Sequence, residues 1–154
     1  MHSLSSTFTV DSKLYPGAVY KIRTLNTIQR AKRDAAIASY RLEYTRLNAE
    51  RQTIYKHLAG DTGTDEEKLE RVNAHPVEKR LPILDFDQKA QCILDEHIVP
   101  ATIRAALISV DGIEIDGAKP TVETLLENAP DGMLTEIYAA CVNGSGLTEG
   151  EAKN

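Results

Sequence analysis

The chain has 154 residues, 42% of them apolar and 27% charged, with a formal net charge of −5. That is the composition of one globular domain, or of a domain with an appended arm, and not of a disordered chain. With two phenylalanines, six tyrosines and no tryptophan, it offers little material for an aromatic platform that stacks bases or sugars.

In chain order, Thr7–Val10 and Ala18–Arg23 alternate apolar and polar residues around a turn-rich stretch containing Pro16-Gly17, which predicts a β-hairpin with a long connection. A lone hairpin is marginal in water, so it must lie against something else. From Asn26 to Leu58 there is neither Pro nor Gly. Asn26 followed by Gln29 approximates a capping box, and Ala59-Gly60 supplies the stop, with Lys56 and His57 placed to meet the helix dipole. The predicted helix is roughly 48 Å long, more than a small body covers, so part of it should pair with a second helix or another subunit. Its apolar residues Ile37, Tyr40, Tyr44, Leu47, Ile54 and Leu58 follow a heptad-like seam interrupted by Arg51.

Residues 61–82 read as a polar linker: the acidic stretch Asp61–Lys68 is loop-like, and His75-Pro76 and Leu81-Pro82 each break the chain. Asp85 can cap a second helix that runs to about Val99, with Phe86, Ala90, Ile93, Leu94 and Ile98 on one face. Pro100 then breaks the chain or opens a new segment. The run Ile103–Val110 suits either helix or strand. The stretch from Ser109 to Gly117, with two Asp-Gly steps, reads as a small hairpin or extended excursion. Short helices follow from Pro120-Thr121 through Leu126 and from Leu134 to Val142, and Thr148 with Glu151 is a further capping box. The expectation is a mainly α (α+β) fold. A hairpin and long helix fill residues 1–60, and a small helical domain fills residues 83–154.

The chemistry-bearing residues form no catalytic set. The four histidines lack metal-ligand spacing, and His75 is expected to be exposed. Asp111, Glu114 and Asp116 do not match a calcium loop and are better explained as turn residues. No nucleophile elbow, phosphate loop or dinucleotide fingerprint occurs. The expectation is therefore no catalytic residues, no metal and no cofactor. Cys92 and Cys141, each within an apolar helical pattern, are expected as buried free thiols. No secretory signal is read at the N-terminus, and no apolar run approaches the roughly 18 residues that span a bilayer. The charge is unevenly divided: residues 1–58 hold ten Lys and Arg against four acids, a net of +6, and residues 59–154 hold eight against nineteen, a net of −11. The favoured reading is attraction between the two halves or between subunits. Nucleic acid is the lesser one, because the bases are interleaved with acids.

The segments Ile98–Leu107, Val110–Gly117, Thr121–Leu126, Ala129-Pro130, Leu134–Ile137 and Leu147–Asn154 resemble the tail assembly chaperones of tailed phages and prophages. The resemblance covers about residues 98–154, and residues 5–58 in architecture alone. It implies a non-enzymatic protein of the host cell cytoplasm that binds the tape measure protein and assists tail tube protein to polymerise, and that is absent from the mature virion. A homo-oligomer is expected. The partner-binding stripe would be Ile37, Tyr40, Tyr44, Leu47, Ile54 and Leu58. A ring-forming neck or tail-completion protein is the alternative, and a nucleic-acid-binding regulator acting through the basic helix is the third reading.

Overall fold

The computed structural model describes residues 6–144. The order is β1 (Thr7–Asp11), β2 (Val19–Arg23), α1 (Thr27–Ala59), α2 (Asp65–Ala74), α3 (Val77–Ile93), α4 (Val99–Ala106), β3 (Leu107–Asp111), α5 (Val122–Asn128) and α6 (Met133–Gly144). A π-helical turn, Leu94–Ile98, joins α3 to α4. The fold is thus mainly α with a small sheet, as the sequence predicts. The chain forms two compact units, one holding the residues up to Ile37 and those from Val99 on, the other Ala38–Ile98.

In the first unit the expected hairpin forms, with Thr7 opposite Arg23 and Val10 opposite Tyr20. What it lies against is partly a third strand: β3 pairs antiparallel with β2, giving the order β1-β2-β3. The register slips by one residue between Lys21 and Ile22, so that Ile22 faces Leu107 and Ile108 is the extra residue of a bulge. Alternation along β2 sends Tyr20 and Ile22 inward and Lys21 and Arg23 outward. Helix α6 packs on β2 and α4, and its Met133, Ile137 and Cys141 are fully buried together with Ile103, Val110 and Leu125.

The second part of α1 with α2, α3 and the π turn makes the second unit. Leu58, Ala59, Val72 and Ile83 form its apolar cluster, with Ile54 and Tyr55 against it. Tyr40 stacks on His97 with ring centroids 3.8 Å apart, and Arg51 pairs with Asp87 at 2.5 Å. Residues late in α1 therefore meet residues early in α3, and the reverse, so the two helices run antiparallel. The predicted pairing of α1 with a second helix is made within this unit.

Several local signals act as read. Gln29 N–H donates to Asn26 Oδ1 at 2.8 Å, and Asn26 N–H donates to Gln29 Oε1 at 3.0 Å, which completes the capping box. Gly60, at φ +75°, closes the other end. Thr121 caps α5 through its hydroxyl. Others are corrected. Residues 61–82 are not a linker: Thr64 and Glu67 form a reciprocal capping box that starts α2, and α3 begins at Val77. The units divide at Ile37/Ala38 and Ile98/Val99, not near 60 and 82. Pro82 lies inside α3. A proline early in a helix and on its solvent side frees one exposed carbonyl, which water can meet. Pro100 is the second residue of α4, directly after the π turn, where a wider turn accommodates the ring and the missing donor. The Ser109–Gly117 pieces do not pair with each other; Ser109, Val110 and Asp111 pair with β2, and Ile115 bridges to Ala118. The Thr148/Glu151 capping box lies outside the described residues.

Candidate protein-binding face

The six positions of the expected stripe divide between the units. Ile37, in the first, is 1% exposed. In the second, Leu47 and Leu58 are buried, Tyr40 and Ile54 are half-buried, and Tyr44 is exposed. The stripe is therefore closed over much of its length, because within the second unit α3 lies along α1. Leu58 belongs to the apolar cluster, with Ile54 beside it. Leu47 and Tyr44 line a cleft of about 330 Å³ shared with Phe86, Ala90 and Leu94 of α3 and the π turn.

Exposed apolar surface lies elsewhere. Among the described residues, six of the eight large apolar side chains that stand in solvent belong to the second unit: Leu42, Tyr44, Leu69, Val77, Leu81 and Leu84. Singly such residues are unremarkable. Val77, Leu81 and Leu84, however, follow one another at i, i+4 and i+7, so they form one row on α3. Each is more than half exposed, at 53%, 52% and 56%, while Ile83 holds the opposite side of the helix in the cluster. The spacing of this row is visible in the sequence, but the two prolines beside it, Pro76 and Pro82, mark the stretch as broken chain.

The polar clusters are structural. Glu136 accepts from Ser12 Oγ and Tyr20 Oη at 2.6 Å each and from the Lys13 N–H at 2.5 Å. Burial alone would raise its carboxyl, but these donors outweigh it and hold the pKa below the ordinary value. Tyr20 is pushed up to about 12, first by burial and then by the carboxylate beside it. An ionised acceptor and a hydroxyl that keeps its proton make a fastener between the hairpin and α6, not an acid–base pair. Asp111 pairs with Lys119, which lowers its pKa. Gly112, Asp116 and Gly117 take the positive φ expected of turn residues.

His75 is not exposed as expected; it is half-buried, with Nε2 3.0 Å from the Leu58 carbonyl oxygen. Cys141 is buried as read, and burial pushes its thiol up to about 12. Cys92 is exposed rather than buried: it lines an open cleft between α1 and α3 with Glu43 and Leu47. Among the described residues no group of three His, Cys, Asp or Glu is placed to hold a metal, and no helix is long and apolar enough to cross a membrane. Compared with known proteins, the chain matches no family model, no curated protein and no solved structure.

Proposed function

We propose that this protein is a non-enzymatic assembly chaperone that shields an amphipathic helical client, with a phage tape measure protein as client and the host cytoplasm as its place of action. The observation that carries the reading is the row Val77, Leu81 and Leu84, which stands in solvent on a helix whose other side is already packed. A helix with an unpartnered apolar row covers a client helix by ridge-into-groove packing. A client that presents apolar surface before its tube surrounds it aggregates unless covered. The resemblance of residues 98–154 to tail assembly chaperones supports the same reading. It adds tail tube protein as a second partner and loss of the chaperone from the finished particle. Under this reading the docking face moves from the α1 stripe to α3.

Co-expression with a tape measure protein of the same genome tests it. The expected outcome is a several-fold gain in soluble client and its co-purification. Leu81→Glu with Leu84→Glu removes the gain, while Leu42→Glu, exposed elsewhere on α1, keeps it. No gain and no co-purification with the unaltered chain rejects the proposal. The division of charge favours a second reading, a structural virion component that forms a ring; finding the chain in purified particles would support it.

A further inference from the structure

The first unit carries a cleft of about 470 Å³ whose rim is cationic, with Arg23 from β2, Lys32 and Arg33 from α1 and Arg104 from α4. Small apolar side chains line it as well: Ala36 from α1, and Ala101 and Ala105, one turn apart on α4. Arg33 is held there by burial, its side chain 3% exposed, and is paired with Asp34, whose Oδ1 accepts from Nε at 3.0 Å and from Nη2 at 2.5 Å. Arg104 is shared with Glu123. Arg23 and Lys32 are exposed and, among the described residues, make no ion pair. The cleft therefore holds two positive charges, Arg23 and Lys32, that no described acid matches, beside a patch of alanine methyls. That suits a short acidic helix better than a nucleic-acid backbone, which needs a longer run of unmatched cations and no apolar patch.

The same chain carries such a helix. α2 opens with Asp65, Glu66 and Glu67, and Asp65, Glu66 and Glu70 are exposed and, among the described residues, make no ion pair. Glu67 is engaged in the capping box. Glu66 and Glu70 stand one turn apart, as Ala101 and Ala105 do, so a carboxylate pair can meet the rim while the helix rests on the alanines.

We propose that the cationic cleft of one copy receives the acidic α2, through Glu66 and Glu70, from a second copy. The contact is heterologous, so each molecule offers one cleft and one acidic helix and the association propagates from copy to copy. Each exposed ion pair is weak, so the assembly depends on concentration and is dissolved by salt. The inference is independent of the chaperone reading: no client takes part in its test.

The mass in solution is measured for the whole chain at low and high ionic strength, on the order of 0.02 M and 0.5 M. Species heavier than the 17.0 kDa chain are expected at low salt and the single chain at high salt. Arg23→Gln with Lys32→Gln makes one variant, and Glu66→Gln with Glu70→Gln makes the other. All four side chains are exposed, and the far-UV spectrum checks that each variant is folded. Each variant alone should stay a single chain. Their mixture should give a dimer and nothing larger, since each retains one intact half of the contact. A single chain at every salt and concentration overturns the proposal. So does assembly that survives either pair of substitutions, or a mixture that fails to form the dimer. Tight, salt-sensitive binding of duplex DNA by the unaltered chain without self-association would assign the cleft to nucleic acid instead.

Discussion

Glu136 shows how one side chain joins distant parts of a small unit. Its carboxylate gathers the Ser12 and Tyr20 hydroxyls and the Lys13 N–H, more than a hundred residues away in sequence. A hydrogen bond to a charged acceptor contributes about 1.5–3 kcal/mol, so Tyr20→Phe is expected to lower unfolding stability by about that much near neutral pH. The pH dependence has two limbs. The Tyr20 pKa is raised in the folded state, so its contribution is whole below the unfolded value near 10 and is lost as pH climbs through about 12. The Glu136 pKa is lowered, so its contribution is present above the unfolded value of about 4.3 and is lost as pH falls through the folded one. Urea titrations of wild type and Tyr20→Phe should therefore converge between about pH 10 and 12; a constant gap across that range would contradict the assignment.

At the scale of elements, turns and helix ends were the most readable parts of the sequence, because their chemistry is local. The Asn26/Gln29 box, Gly60 and Thr121 all cap or stop helices where they were expected to. Gly112 adds a constraint that is not local. Its φ is +81°, and a Cβ there would meet the Gly17 carbonyl oxygen at 1.9 Å, between the turn that follows β1 and the end of β3. Gly112→Ala should cost about 2–4 kcal/mol, from backbone strain plus the forced separation. Gly117→Ala, also at positive φ but with open space around it, should cost only about 1 kcal/mol. Equal losses in chemical denaturation would mean that the Gly17–Gly112 approach carries no energy. The opposite lesson comes from α3. Pro82 and Pro100 were strong local signals for breaks, yet one sits inside a helix and the other follows a π turn into the next. Packing of Ile83 in the apolar cluster outweighs the propensity of the residue beside it.

For the whole molecule, the two units differ in how much apolar surface each hides. The first buries the inner face of the sheet against α5 and α6, with α4 packed on those helices. The second has a cluster of four buried residues and leaves the α3 row in solvent. Local opening follows buried contact, so the amides of α2 should exchange through openings about 2 kcal/mol or more below those of β2 and β3. Native-state hydrogen exchange measures this directly, and equal protection in both regions would show a single cooperative unit. The same imbalance is what the proposed client-binding role draws on: a helix half satisfied by its own unit has an apolar row left for another chain.

Periodicity, capping residues and turn pairs were enough to establish the hairpin, the long uninterrupted helix, the short helices near the C-terminal end and the mainly α class. Each of these is decided by interactions within a few residues. Which face of the long helix stays open was not decided there. The stripe from Ile37 to Leu58 is apolar whether it meets its own chain or a stranger, and only the antiparallel return of α3 shows that Leu47 and Leu58 are already spoken for. The third strand, the exposure of Cys92 and the gathering of Arg23, Lys32, Arg33 and Arg104 around one cleft were likewise beyond a linear reading. They depend on contacts between residues far apart in the chain, and single-sequence spacing carries no record of those.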